Sequence, residues 1–100
     1  MAKIRWTTKA WISFESNRIY LTDKWGANAA KKFVRSVDKR LEILAHFPSS
    51  GYKIDAELDI RRITINRRVV LIYQYDQDRN EIDLDFFWNT YQLPDSEYKY

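Results

Sequence analysis

Arg61 and Arg62 stand side by side where an extended run begins. Neighbouring side chains on a strand leave on opposite faces. Arg61 therefore travels with Ile63 and Ile65, and Arg62 with Thr64. A guanidinium on the apolar side must reach the strand end or a buried acid. The pair suits either an ion pair that holds the fold or an anion-binding role. A second basic group, Lys31, Lys32, Arg35 and Lys39, shares one side of a helical pattern. Such a stripe could hold phosphates with salt-sensitive, sequence-neutral affinity. A solvated helix face is the plainer account of it.

Other chemistry is limited by counting. There is one histidine, His46, and no cysteine. A His-based triad, a histidine metal cluster and thiolate ligation are excluded, and disulfides with them. His46 falls at a helix end, where a cation meets the negative end of the helix dipole. Asp76 and Asp78 share a turn segment, and Asp83 and Asp85 share one side of a strand pattern. Both pairs read as solvated acids rather than as ligands for a hard cation. No glycine-rich phosphate loop occurs. Neither a metal nor a cofactor is expected.

The chain has 100 residues, 45% hydrophobic and 16% aromatic, with two Gly and two Pro. That is enough for one domain with a real core and too few breakers for long irregular stretches. Net charge is +3, but it is unevenly placed. Residues 1–70 carry 15 Lys/Arg against 7 Asp/Glu; residues 71–100 carry 2 against 7. A basic body with an acidic last third suits an anionic partner, or self-neutralisation across the fold. No run approaches the roughly 20 apolar residues of a membrane span, and the opening residues lack a signal-peptide core. A cytoplasmic protein without membrane attachment is the expectation.

The pattern divides into six elements. Lys3–Thr7 alternates as a short strand, and Thr7 or Thr8 can cap the helix that follows. Ala10, Phe14, Asn17, Leu21 and Trp25 recur at helical spacing, and Gly26 suits the helix end. Asn17 is the polar member of that stripe and needs a partner. Asn28 can cap a second helix, whose apolar face is Ala30, Phe33, Val34, Val37, Leu41 and Leu44. Phe47-Pro48 ends it. The linker allows only an antiparallel hairpin. Pro48 to Asp59 reads as the one long loop. Ile60–Asn66, Val69–Tyr75 and Glu81–Asn89 read as three strands, the middle one apolar on both faces. Asp76–Asn80 is the hairpin loop, and Ile82, Leu84, Phe86 and Trp88 alternate inward. The expected fold is α+β, in the order β-α-α-β-β-β. A helical hairpin then lies on a small antiparallel meander sheet, in one domain over residues 1–100. Residues 91–100 form a tail without periodicity.

In order along the chain come WTTKA, Tyr20-Leu21, WG, AAKKF, FPSSG, IRRITI, VVLIYQYD and IDLDFFWNTYQLP. This set resembles the RelE/ParE superfamily of type II toxin–antitoxin toxins over nearly the whole chain. The resemblance implies a small bacterial toxin silenced by a partly disordered antitoxin. The antitoxin would fold into a groove between helices and sheet or across the sheet edge, in a hetero-oligomer. Trp11, Phe14, Trp88, Tyr91 and Arg62 are the expected partner-binding residues. Two activities are known in the superfamily: ribosome-dependent mRNA cleavage and poisoning of DNA gyrase. In the nuclease branch an arginine opens the core strand, where this chain has Val70. A second arginine follows the last strand, where this chain has Tyr91. Cleaving RNA needs a proton acceptor, a donor and cations for the charged transition state. Arg61, Arg62, Lys53 and Tyr98 are the remaining candidates. A ParE-like toxin that binds gyrase and performs no chemistry of its own is the favoured expectation. The alternatives are an mRNA endonuclease built on those four residues, and a degenerate toxin that only binds antitoxin.

Overall fold

The computed structural model describes residues 1–90. It contains seven elements: β1 (Lys3–Trp6), α1 (Thr8–Trp25), α2 (Ala27–His46), β2 (Tyr52–Asp55), β3 (Ile60–Thr64), β4 (Val69–Asp76) and β5 (Glu81–Asn89). They make a two-layer α+β domain with one five-stranded sheet, in the order β1-β5-β4-β3-β2. The helical hairpin covers one face. The expected class holds, with two additions. The loop from Pro48 to Asp59 contains a strand, β2, paired antiparallel with β3. The sheet is also mixed, because β1 runs parallel to β5, with Ile4 opposite Ile82 and Trp6 opposite Leu84.

Thr7 caps α1, its Oγ1 accepting from Ala10 N at 3.0 Å. The inward face of α1 is Ala10, Ser13, Phe14, Asn17 and Leu21. Trp25, expected to extend that stripe, is 58% exposed. Its ring instead carries the Arg68 guanidinium 4.6 Å from its centroid. Gly26 joins the helices at φ +92°, a conformation that disfavours a side chain. Asn28, expected as the second cap, lies inside α2, whose N-cap is Gly26. The expected α2 stripe is inward. Phe33, Val37 and Leu44 are fully buried, while Val34 and Leu41 pack at the margin.

β1 ends at Trp6, so the backbone of β5 beyond Leu84 loses its strand partner on that side. Buried backbone groups need partners, and α1 supplies them with side chains. Thr7 Oγ1 donates to Leu84 O at 2.7 Å. Ser13 Oγ accepts from Phe87 N at 2.8 Å. Asn17 Nδ2 donates to Phe87 O at 3.1 Å. The polar residue that looked misplaced on an apolar stripe thus continues a strand ladder from a helix. Ser13→Ala leaves Phe87 N buried and unmet, and should lower stability by about 1–3 kcal/mol in urea unfolding.

The two sheet faces exchange partway along β5. Between Ile72 and Tyr73 the register to β5 shifts, with Ile72 opposite Phe86 and Tyr73 opposite Leu84. Asp85 is the extra residue of this β-bulge. Up to Leu84 the strand sends Ile82 and Leu84 into the core shared with the helices. Beyond the bulge that core receives Phe87. Phe86 and Trp88, expected inward with Ile82 and Leu84, join the opposite face. The cause is local: one extra residue inverts a period of two for everything after it.

Candidate functional site

The helix-free face of the sheet is where Val70 sits. Its buried members are Ile60, Val70, Ile72 and Phe86, flanked by Ile54 and Trp88. No helix residue belongs to this cluster. Across the sheet Val70 faces Thr64 on one side and Trp88 on the other. Trp88 Nε1 is buried without a hydrogen-bond partner. Arg62 stands exposed on this face, opposite Ile72. The side chains packed around Val70 are therefore mostly hydrocarbon and are buried, Val70 itself being 5% exposed.

Arg61 goes the other way, opposite Tyr73 on the helix side. Its head reaches the strand end, as its apolar neighbours required. Nε donates to Asp59 Oδ1 at 2.9 Å, and Nη1 to the carbonyls of Ser49 and Gly51 at 3.0 and 2.9 Å. Its side chain is 15% exposed. Lys53 Nζ shares Asp59 at 3.6 Å. Tyr73 completes the clamp. Its hydroxyl donates to Pro48 O at 2.8 Å and accepts from Gly51 N at 2.9 Å. Burial pushes the Tyr73 phenol above its ordinary value. A Cβ on Gly51 would lie 2.5 Å from that hydroxyl and 2.9 Å from Arg62 O, so only glycine fits. The segments FPSSG, IRR and VLIYQY are three sides of one structural joint, a link that sequence order alone did not reveal.

Of the four residues considered for RNA cleavage, the three described ones do not converge on one site. Arg61 and Lys53 meet at Asp59 in a structural ion cluster, Arg62 is on the opposite face, and Tyr98 lies outside the described residues. Tyr91 lies outside them too. Among the expected partner-binding residues, Phe14 is buried in the helix-side core. Trp11 is 50% exposed and stacks on Trp6 with ring centroids 4.2 Å apart. Trp88 is half-buried on the helix-free face. Lys31, Lys32, Arg35 and Lys39 are exposed on α2. His46 ends α2, its Nδ1 3.0 Å from Glu42 O. Asp76 Oδ1 accepts from the backbone of Asp78 and Arg79, which explains one acid pair as turn chemistry. Among the described residues no group of acids and histidine could hold a metal ion.

A polar set beside Phe86 left no mark in the sequence pattern. Lys9 Nζ lies 4.5 Å from the centre of the Phe86 ring. Gln74 Nε2 donates to Asp85 Oδ2 at 3.1 Å. Burial raises the Asp85 carboxyl above its usual range and Asp83 adds to the rise, while the Gln74 bond and Lys9 oppose it. A raised carboxyl favours the fold when protonated, and that contribution is lost as pH climbs through its folded value. Asp85→Asn should therefore stabilise the protein at neutral pH. The gain should vanish in acid, below the ordinary aspartate value of about 3.9. Urea titrations across that range check it.

Among the solved structures that share this fold are three toxin or toxin–antitoxin proteins. The ParDE system of P. aeruginosa aligns with a TM-score of 0.71 at 16% identity, over 89% of this chain and 96% of that one. A metal-bound toxin from Helicobacter pylori aligns at 0.67 and 17%, over 94% and 100%. The RelBE2 toxin–antitoxin complex of Mycobacterium tuberculosis aligns at 0.57 and 17%, over 88% and 96%. No curated protein matches the chain. No described helix is long and apolar enough to cross a membrane. The sequence itself matches the family described as the ParE toxin of the type II toxin–antitoxin system parDE, over residues 4–88. With all seven elements inside or at the edge of that span, the chain belongs to the ParE toxin family.

Proposed function

We propose that this toxin acts as a ParE-like inhibitor of DNA gyrase, by binding alone, and is held silent by a cognate antitoxin. The observation that carries the reading is the apolar packing around Val70, together with the diversion of Arg61 into a structural joint. In-line attack on a phosphodiester builds charge that cations and a proton relay must meet. Beside Val70, Ile60, Ile72, Phe86 and Trp88 supply neither, and the cations of that face are Arg62, opposite Ile72, and Lys9, over the Phe86 ring. The partly exposed Trp88 and exposed Arg62 suit protein recognition, where aromatic and arginine anchors carry most of the affinity. Family membership supports the antitoxin partner, and so does the likeness to proteins solved as toxin–antitoxin complexes.

Purified toxin added to gyrase should abolish supercoiling and leave broken DNA. Messenger RNA 5′ ends mapped after induction should show no codon-phased cuts. Untouched gyrase at high toxin concentration refutes the proposal. Phased cuts would assign the ribosome instead. Unimpeded growth with an intact antitoxin complex would leave a binding module alone.

A further inference from the structure

We propose that two copies of this chain associate weakly through the outward face of α1, antiparallel about a two-fold axis beside Ser16. The inference concerns self-association and stands apart from the gyrase reading. α1 is apolar on two opposite sides. Ala10, Phe14, Asn17 and Leu21 face the core. Ile12 and Ile19 stand on the other side, 63% and 52% exposed. At 3.6 residues per turn, a step of seven returns to within about 20° of the same line, so the two side chains stand in a row about 10 Å apart. Ser16 lies between them and Asp23 continues the row, both exposed. A single exposed isoleucine needs no account. Two at heptad spacing, with a small residue between them, form a helix-packing seam.

The seam matches itself. With two copies antiparallel, Ile12 of each lies against Ile19 of the other, so one patch makes both halves of the contact. Ser16 falls beside the axis, where a small side chain lets the helices approach to about 8–10 Å. Glu15 also comes near the axis, but it brings its own cation, Arg18 Nη2 at 2.8 Å. The charged ends select the orientation. Antiparallel packing carries Asp23 to the first turn of the other α1, which holds Lys9 and no acid of its own. There its charge meets an ammonium and the positive end of the helix dipole. Lys9 also faces the Phe86 ring at 4.5 Å, which shares its charge. Parallel packing would set Asp23 on Asp23 and Lys9 on Lys9. A foreign partner has no need of such a two-fold match; a second copy requires it. One helix pair buries less than the roughly 1,200 Å² of a stable interface, so the dimer depends on concentration. Because α1 lies between the seam and the sheet, both helix-free sheet faces point outward in the dimer and stay open.

Sedimentation of the full-length toxin from about 5 to 500 µM, the range in which weak contacts fill, should show a rise from one-chain to two-chain mass. Ile19→Lys, at an exposed position, should raise the dissociation constant about tenfold or more. Asp23→Lys should raise it about threefold, and adding Lys9→Glu should recover the loss. The chain has no cysteine, so one introduced thiol reports the register. Ser16→Cys should cross-link two chains under mild oxidation. Asp23→Cys, about 22 Å along the seam from its mate, should not. Thermal melts verify that the variants fold. Toxin that stays monomeric to about 500 µM overturns the inference. So does unchanged association in Ile19→Lys, or cross-linking at both positions, which is the mark of parallel packing. Antitoxin affinity lost in Ile19→Lys, in a toxin that never self-associates, gives the patch to that partner and overturns it too. A toxin that leaves gyrase untouched yet dimerises removes the gyrase reading and leaves this inference standing.

Discussion

Phe87→Ala is expected to cost about 3–5 kcal/mol of stability, the range for emptying a buried phenylalanine site. For a chain of this length that is a fall of about 4–8 °C in Tm for each kcal/mol. Phe87 is 1% exposed and touches three aromatic rings, Trp6, Phe14 and Phe33, at centroid distances of 5.6, 5.7 and 6.4 Å. The prediction discriminates because unbroken alternation along β5 would turn Phe87 to the other face. Its removal would then leave the rings of Trp6, Phe14 and Phe33 undisturbed. Urea unfolding gives the loss, and near-ultraviolet circular dichroism shows whether that aromatic cluster is perturbed. A loss under about 1 kcal/mol, or an unchanged aromatic spectrum, would overturn the placement of Phe87 in the helix-side core.

Arg61→Ala should cost about 3 kcal/mol or more. Hydrogen bonds to charged groups contribute about 1.5–3 kcal/mol each, and their losses overlap when one side chain makes several. Removal strands Asp59 without its closest cation and leaves the carbonyls of Ser49 and Gly51 to find water. Arg61→Lys should recover little, since a single ammonium cannot reproduce three bonds in a planar fork. Arg62→Ala, on the other face and exposed, should change stability by less than about 0.5 kcal/mol. Unfolding curves for the three variants test this directly. An Arg61→Ala protein with wild-type stability but no toxicity would return Arg61 to the list of acting residues.

The helices were largely legible because their apolar spacing is long and their breakers are unambiguous. Gly26 ends α1 and Phe47-Pro48 ends α2 where expected, and Asn17 announced its need for a partner. Periodicity could not show the parallel pairing of β1 with β5, which joins residues 78 positions apart and leaves no local mark. The bulge is equally silent: DLDFFWN alternates on paper, and only the adjacent Phe86-Phe87 hints that both faces of the sheet want an aromatic ring there. β2 was hidden by a short, polar segment, YKID, whose pairing depends on β3. The direction of Arg61 followed from its neighbours. Its partners did not, because Ser49, Gly51 and Asp59 meet it only after β2 and β3 pair. Val70 at the position of the nuclease arginine was legible in the sequence; its packing with Ile60, Ile72 and Phe86 was not.

The side-by-side pairing of β1 and β5 also governs how the molecule comes into being. A nascent chain that has left the ribosome only as far as β4 has its first strand waiting and no neighbour for it. The helices can coil, and β2 to β4 can zip as a meander, but the bonds from Thr7, Ser13 and Asn17 to β5 cannot form until Leu84 and Phe87 emerge. Closing so distant a contact comes late and costs loop entropy before it returns any. Native structure is therefore postponed to the end of synthesis, and a prematurely terminated product is an aggregation-prone fragment rather than a weakened poison.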